Sequence, residues 1–171
     1  MSLEKIKLII LDVDGTMTDG GVYIDNNRVE TKKFSIKDGA GIILAEKVGI
    51  EFMILTGRTS NCVEQRAQEL KIKYVVQGIH NKVTYLKSFM KENNISSEEI
   101  AYIGDDLNDL PSMRIVGTTA CPSDACAEVR NYVDFCMNAK GGEGVVREFV
   151  EKLLQTTGKW ESAIEQVFEQ K

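Results

Sequence analysis

Lys5-Ile6-Lys7-Leu8-Ile9-Ile10-Leu11-Asp12-Val13-Asp14-Gly15-Thr16 opens on a nearly unbroken apolar run and closes on two carboxylates one residue apart. A strand with one wet face alternates polar and apolar residues, whereas a continuous run of Ile, Leu and Val, as over 5–13, marks a strand covered on both faces by helices. Similar short runs recur at Glu51–Leu55, Tyr74–Val76, Ile100–Ile103, 118–120 and 132–135, with helical periodicity between them. This alternation predicts an α/β fold, a doubly wound, Rossmann-like parallel sheet with helices on both faces.

The helices have readable starts. Asp38 precedes an apolar segment that ends at Val48-Gly49, Thr59 or Ser60 precedes a helix reaching about Leu70, and Ser96-Ser97-Glu98-Glu99 reads as a short capped turn. Helices over 82–93 and 143–157 complete the set. Residues 20–34 depart from the pattern: GGVYIDNNRVETKKF alternates polar and apolar around Asp25-Asn26-Asn27 and predicts a projecting β-hairpin. In the tail, 159–171, Trp160, Ala163, Ile164, Val167 and Phe168 form one apolar stripe, fit either to dock on the chain's own domain or to meet another subunit.

At 171 residues the chain reads as one domain, 1–171, with one core and one site. A 43% hydrophobic and 27% charged composition with two prolines excludes disordered and fibrous classes. The net charge of -5, without any long run of Lys and Arg, argues against nucleic acid as a partner, while a small anion can still be held by a few placed cations and a metal. The first apolar run is too short to span a bilayer and is broken by two aspartates, so neither a membrane anchor nor a signal peptide is expected. Cys62, Cys121, Cys126 and Cys136 lack CxxC spacing, and a zinc set built on Cys121 and Cys126 would need histidine, of which His80 is the only one. Reduced thiols in the cytoplasm are the expectation.

The chemistry gathers at strand ends, where open α/β sheets place their ligands. Asp12 and Asp14 can divide the labour of phosphoryl transfer, one attacking phosphorus and the other protonating the departing alkoxide and then activating water. Read alone, DxDGT is also an ordinary turn. Thr56-Gly57-Arg58 ends the second core strand with a hydroxyl and backbone N–H groups suited to phosphate oxygens. Lys82 opens a helix after the 74–76 strand, and its charge can neutralise a transferring phosphoryl group. Gly104-Asp105-Asp106-Leu107-Asn108-Asp109 ends another strand in carboxylates that repel one another unless a cation sits among them, and oxygen ligands favour Mg²⁺. Each feature has an ordinary reading by itself; their conjunction does not.

This ordered set, along essentially the whole chain, resembles the haloacid dehalogenase superfamily of phosphohydrolases. The resemblance implies Asp12 as nucleophile, Asp14 as acid/base, Thr56 and Lys82 as phosphoryl-binding residues, and a Mg²⁺ site of Asp12, Asp105 and the main-chain carbonyl of Asp14. Gly57 joins the phosphate-binding turn, and Asp106, Asn108 and Asp109 fall behind the metal site. The intervals 14–56 and 56–82 leave no room for a cap domain. DVDGTMTDGGVYIDN, FSIKDGAGI, LTGRTSNCVEQRA, QGIHNK, AYIGDDLNDLPSM and GGEGVVREF are similar to segments of the 3-deoxy-D-manno-octulosonate 8-phosphate phosphatases. Those are capless homotetramers that supply a sugar acid for lipopolysaccharide, which implies that the hairpin helps assemble a homotetramer with composite pockets.

Arg58 and Arg66 are the candidates for binding the carboxylate of a sugar-acid phosphate, since guanidinium grips carboxylate bidentately; surface salt bridges are their alternative use. Arg147 fits a pocket position or a helix surface equally well, and His80 is expected in solvent. Competing functional readings are a phosphatase of a nine-carbon sialic-acid-type 9-phosphate, a phospho-accepting regulatory domain, and a non-catalytic oligomerisation module. A phospho-acceptor usually sits on a middle strand without an acid two residues beyond it, whereas here the pair ends the first strand.

Overall fold

The computed structural model describes residues 3–169. Six strands form one parallel sheet in the order β5-β4-β1-β6-β7-β8: β1 (Leu8–Leu11), β4 (Glu51–Leu55), β5 (Tyr74–Val76), β6 (Ile100–Ile103), β7 (Thr118–Cys121) and β8 (Phe135–Cys136). A short hairpin, β2 (Tyr23–Ile24) with β3 (Glu30–Thr31), stands apart from it. From β1 the chain winds outward through β4 to β5, then returns across β1 to wind the other way through β6, β7 and β8. Winding therefore reverses at β1, and the carboxyl end of β1 is where a crevice opens in a doubly wound sheet.

Side chains of β1 alternate between two cores, and that is why its sequence shows no polar alternation. Ile9 and Leu11 pack with α1 (Ile36–Lys47), α2 (Asn61–Leu70), α6 (Val145–Thr156) and α7 (Trp160–Phe168). Leu8 and Ile10 pack with α3 (Lys82–Glu92), α4 (Leu110–Met113) and α5 (Ala127–Tyr132). All four residues of β1 are buried.

Several expected boundaries shift for local reasons. Lys5 lies in a 3-10 turn, Leu3–Lys5, and Val13 already belongs to the turn after β1, so the strand is shorter than 5–13. Asp38 does not cap α1; Ser35 does, accepting the Asp38 N–H at 3.3 Å, while the Asp38 carboxylate turns inward and accepts the Arg147 N–H at 2.8 Å. The stretch 132–135 is not a strand as read: Tyr132 ends α5, and pairing begins at Phe135. The apolar character of Val129 and Val133 there belongs to a helix packed on the second core. Ser60 precedes α2, and Ser96 with Glu99 forms a reciprocal capping box, both as expected.

The tail stripe docks on its own domain: Ala163 is fully buried, and Trp160, Ile164 and Val167 pack against the first core. Phe168 alone of the stripe points outward, 64% exposed; Gln170 and Lys171, at the end of the expected tail, lie outside the described residues. The hairpin forms where expected, but Val22, Tyr23, Ile24 and Val29 are all about half exposed or more, and Ile36 just beyond it is more exposed still. Together they form an exposed apolar cluster on the surface.

Candidate active site

Asp12 is the residue immediately after β1, its N–H bonded to the Ile103 carbonyl of β6 at 3.0 Å. Beyond it the chain makes a tight turn in which Gly15 takes φ +96°. A Cβ there would also lie 2.1 Å from Oδ2 of Asp105, so glycine is required twice, for backbone hand and for space. The turn is braced from behind by the 141–144 loop. Gly142 N–H donates to the Thr16 carbonyl at 2.9 Å, and a Cβ on Gly141 would fall 1.9 Å from the Gly15 oxygen. Backbone meets backbone here.

Lys82, the first residue of α3, sends its ammonium between two carboxylates: Nζ lies 2.6 Å from Oδ1 of Asp12 and 2.8 Å from Oδ1 of Asp109. It is a buried charge, not the solvated one that a lone lysine at a helix start usually is. Asp109 is fully buried and fully used. Oδ1 also accepts from the Tyr102 hydroxyl at 2.8 Å, and Oδ2 accepts the Asp105 N–H at 3.1 Å and the Asp106 N–H at 3.4 Å. Asp105 in turn accepts from the Thr16 hydroxyl at 3.1 Å. Carboxylate oxygens of Asp12, Asp105 and Asp109 all lie within 4.8 Å of one another.

Three carboxylates and one ammonium leave two negative charges in excess inside the protein, the charge of one divalent cation. Burial, reinforced by the charge of Asp109, pushes Asp12 up to about 8 and Asp105 up to about 7. For Lys82 burial pulls downward, but the Asp12 and Asp109 carboxylates outweigh it and leave the ammonium above its ordinary value. Burial, and then Asp109, raises the Tyr102 phenol well above its usual range, so it serves as a hydrogen-bond donor.

Thr56 is buried at the carboxyl end of β4, the strand paired with β1, and its N–H is bonded to the Val76 carbonyl. Gly57 follows it, with Ile79 O the one atom near its missing Cβ at 3.7 Å. The Asp14 carboxylate forms an ion pair with Lys32 from the hairpin, and its Oδ2 lies 3.8 Å from Nε of Arg58. Arg58 is half exposed and also bonded to Glu30 at 2.6 Å. Asp12, Lys82, Asp105 and Asp109 thus form one contact set, with Asp14 and Arg58 at its rim.

Other expected residues lie elsewhere. Arg66 packs beside Gly39 with its guanidinium bonded to the Ser35 carbonyl at 3.1 Å and Glu69 at 2.9 Å. Arg147 bonds Glu151 and sits over the Trp160 ring at 5.3 Å, as a helix-surface residue does. His80 is exposed, as expected. Sequence reading missed Tyr102 and Lys32. Tyr102 had a signal, a hydroxyl inside an otherwise aliphatic buried strand; Lys32 had none, because it adjoins the equally polar Lys33, and only the hairpin's geometry buries one side chain and exposes the other. At the opposite, amino-terminal end of the sheet, a 380 Å³ concavity includes Lys7, Glu51, Lys73 and Glu99, whose charges are already paired at 2.5 Å.

Residues 75–149 match the model of the haloacid dehalogenase-like hydrolases. The 3-deoxy-D-manno-octulosonate 8-phosphate phosphatase of Salmonella typhi is 40% identical over 160 residues, 94% of this chain and 85% of that protein. Its counterpart in Haemophilus influenzae is 39% identical over 92% of this chain and 87% of its own. The chain belongs to the 3-deoxy-D-manno-octulosonate 8-phosphate phosphatase family. Among solved structures, the family's enzyme from Moraxella catarrhalis, in complex with a magnesium ion, a phosphate ion and a KDO molecule, superposes with a TM-score of 0.92 at 36% identity, covering 96% of this chain and 94% of that one. The cobalt-bound Haemophilus influenzae enzyme gives 0.88 at 38% identity, covering 98% and 95%.

For this family member the donor set fits a hard divalent cation: oxygen ligands only, two excess negative charges, and no sulfur or imidazole among the clustered groups. With both oxygens of Asp109 engaged, Asp12 and Asp105 are the carboxylates with capacity to spare. Raised carboxyl pKa values mean that the folded, metal-free protein holds protons that the unfolded chain has released, so stability is lost as pH rises through about 7 to 8. Magnesium replaces those protons. Thermal unfolding at saturating Mg²⁺ should therefore show a larger stabilisation at pH 8.5 than at pH 6, approaching about 2.7 kcal/mol at a hundredfold excess over Kd; a shift equal at both pH values would contradict the charge count.

Proposed function

We propose that this protein is a Mg²⁺-dependent phosphomonoesterase that hydrolyses 3-deoxy-D-manno-octulosonate 8-phosphate through an aspartyl-phosphate on Asp12. The observation that carries the reading is Lys82 fixed between Asp12 and Asp109 beside a second carboxylate, Asp105, at the crevice of the sheet. Family membership supports the choice of substrate.

In this reading Asp12 attacks phosphorus while the bond to the sugar oxygen breaks, and protonated Asp14 gives its proton to that oxygen. Asp14, now a carboxylate, takes a proton from water, whose oxygen attacks phosphorus and frees Asp12. Thr56, the N–H of Gly57 and Lys82 hold the phosphoryl oxygens. Mg²⁺, held by Asp12, Asp105 and the main-chain carbonyl of Asp14, supplies the positive charge that keeps the buried carboxylates ionised beside an anionic substrate. Asp109 braces the site by anchoring Lys82, Tyr102 and the turn at Asp105.

We assign the substrate carboxylate to Arg58, whose half-exposed guanidinium stands at the rim beside Asp14. Arg66 is assigned to a neighbouring subunit's substrate, reached by exchanging its exposed partner Glu69 for the ligand. The whole chain, 1–171, serves as one phosphatase domain without a cap, so shielding from water comes from association, and the exposed apolar hairpin supports a homotetramer. Free cysteines and the absence of any helix long and apolar enough to cross a membrane among the described residues are in keeping with a cytoplasmic enzyme. The lipopolysaccharide pathway follows from the substrate.

Asp12→Asn should lower turnover by several orders of magnitude, as loss of a nucleophile does, with the fold intact by circular dichroism. In the first phosphoryl transfer, Asp14→Asn should lose roughly 10²–10⁴-fold on the sugar phosphate and far less in the burst of p-nitrophenolate from p-nitrophenyl phosphate, whose leaving group needs little protonation. Phosphate release across eight- and nine-carbon substrates measures the nucleophile and substrate claims, and full activity of Asp12→Asn or a preference for the nine-carbon compound would overturn the assignment. For the assembly, Val22→Glu with Ile24→Glu should shift the mass in analytical ultracentrifugation from tetramer toward monomer and depress activity on the sugar phosphate more than on the aryl phosphate; a fully active wild-type monomer at assay concentration would contradict it.

A further inference from the structure

Apart from its base the hairpin is exposed, yet one of its charged side chains is almost sealed from solvent: Lys32, with 1% of its side chain in contact with solvent. Removing an ammonium from water is costly and is offset only by well-placed anions. A methionine or leucine would fill the same space at lower cost.

Lys32 has two anions before it. Nζ pairs with Oδ1 of Asp14, and Oε1 of Glu30 lies 3.6 Å away. Glu30 in turn holds Arg58 at 2.6 Å, and Arg58 approaches the other oxygen of Asp14, Oδ2, at 3.8 Å. The ring of four charges ties the hairpin to the loops after β1 and β4. It also makes the two oxygens of Asp14 unequal, because Oδ1 is paired with Lys32 while Oδ2 stands 3.8 Å from Nε of Arg58, beyond hydrogen-bond distance.

We propose that Lys32 is a positioning residue for the reaction: its buried ammonium anchors Oδ1 of Asp14, so that Oδ2 is the oxygen presented to the leaving group and then to water. The inference rests on the reading of Asp14 as acid/base. Without the anchor, the carboxyl group rotates about its side-chain bonds, and misplacement by an ångström is enough to slow a proton transfer severely. Steps that need no proton, phosphate binding and attack by Asp12 on an aryl phosphate, do not pass through Lys32.

Lys32→Met and Lys32→Arg are compared with Asp14→Asn and wild type in single-turnover experiments that read the first phosphoryl transfer, as release of the sugar from the sugar phosphate or of p-nitrophenolate from p-nitrophenyl phosphate, with inhibition by inorganic phosphate reporting ground-state binding. The expected result for Lys32→Met is a roughly ten- to hundredfold fall in the rate of that first transfer from the sugar phosphate, under about threefold from the aryl phosphate, with phosphate inhibition and oligomer mass unchanged. Lys32→Arg, which keeps the cation, should recover most of the loss. Undiminished turnover of the sugar phosphate by Lys32→Met, while Asp14→Asn is impaired, would overturn the proposal and leave the acid/base reading standing. Equal losses on both substrates in Lys32→Met would also overturn it, since a fold or phosphate-binding defect makes no distinction between leaving groups. If Asp14→Asn itself loses equally on both, the acid/base reading fails, and the role of Lys32 with it.

Discussion

Everything at the carboxyl end of the sheet is arranged around an unbalanced charge. Lys82 satisfies Asp12 and Asp109, but Asp105 stands within reach of both and leaves the buried cluster with two negative charges in excess. A protein interior tolerates such an excess only by taking up protons or a cation. The raised carboxyl groups of Asp12 and Asp105 express the first solution, and the oxygen-only donor set is suited to the second. A site that is costly without a metal and neutral with one is also a site where an incoming phosphate ester meets fixed positive charge instead of three bare carboxylates.

The surrounding structure serves to hold that cluster still. Asp109 converts a loop into a bracket by accepting from Lys82, Tyr102 and two backbone N–H groups. Gly15 lets Asp105 approach the first turn, and Gly141 lets the 141–144 loop press on the same turn from behind. Neither contact leaves room for a side chain. The hairpin contributes in two ways, with exposed apolar residues on its surface and Lys32 paired to Asp14. In the proposed reading, assembly and chemistry share this one short element.

Much of this was legible in the sequence because it rests on short-range rules. The continuous apolar run at β1 could only be a strand covered twice, and Asp12, Lys82 and Asp105 each come after a strand, so the place where these three meet followed from topology. Two kinds of feature were not legible. Where helix and strand propensities are close, as around Val129 to Phe135, neighbouring packing decides, and the expected strand became the end of α5. Where polarity is ambiguous, as at Lys32-Lys33 or in the acidic run Asp105 to Asp109, sequence shows charges but not which of them is buried. Arg66 illustrates the same limit in reverse, since its grip on Ser35 and Glu69 depends on the packing of α2 beside α1.

The central claim is that phosphorus is transferred first to Asp12 and only then to water, and the stereochemical course at phosphorus tests it most directly. Hydrolysis of a phosphorothioate analogue of the substrate, made chiral at phosphorus by sulfur and two oxygen isotopes, in water carrying the third isotope, reports the number of displacements. Two successive in-line displacements predict retention of configuration in the released thiophosphate; inversion would mean that water attacks the substrate directly, and would contradict the nucleophilic role of Asp12.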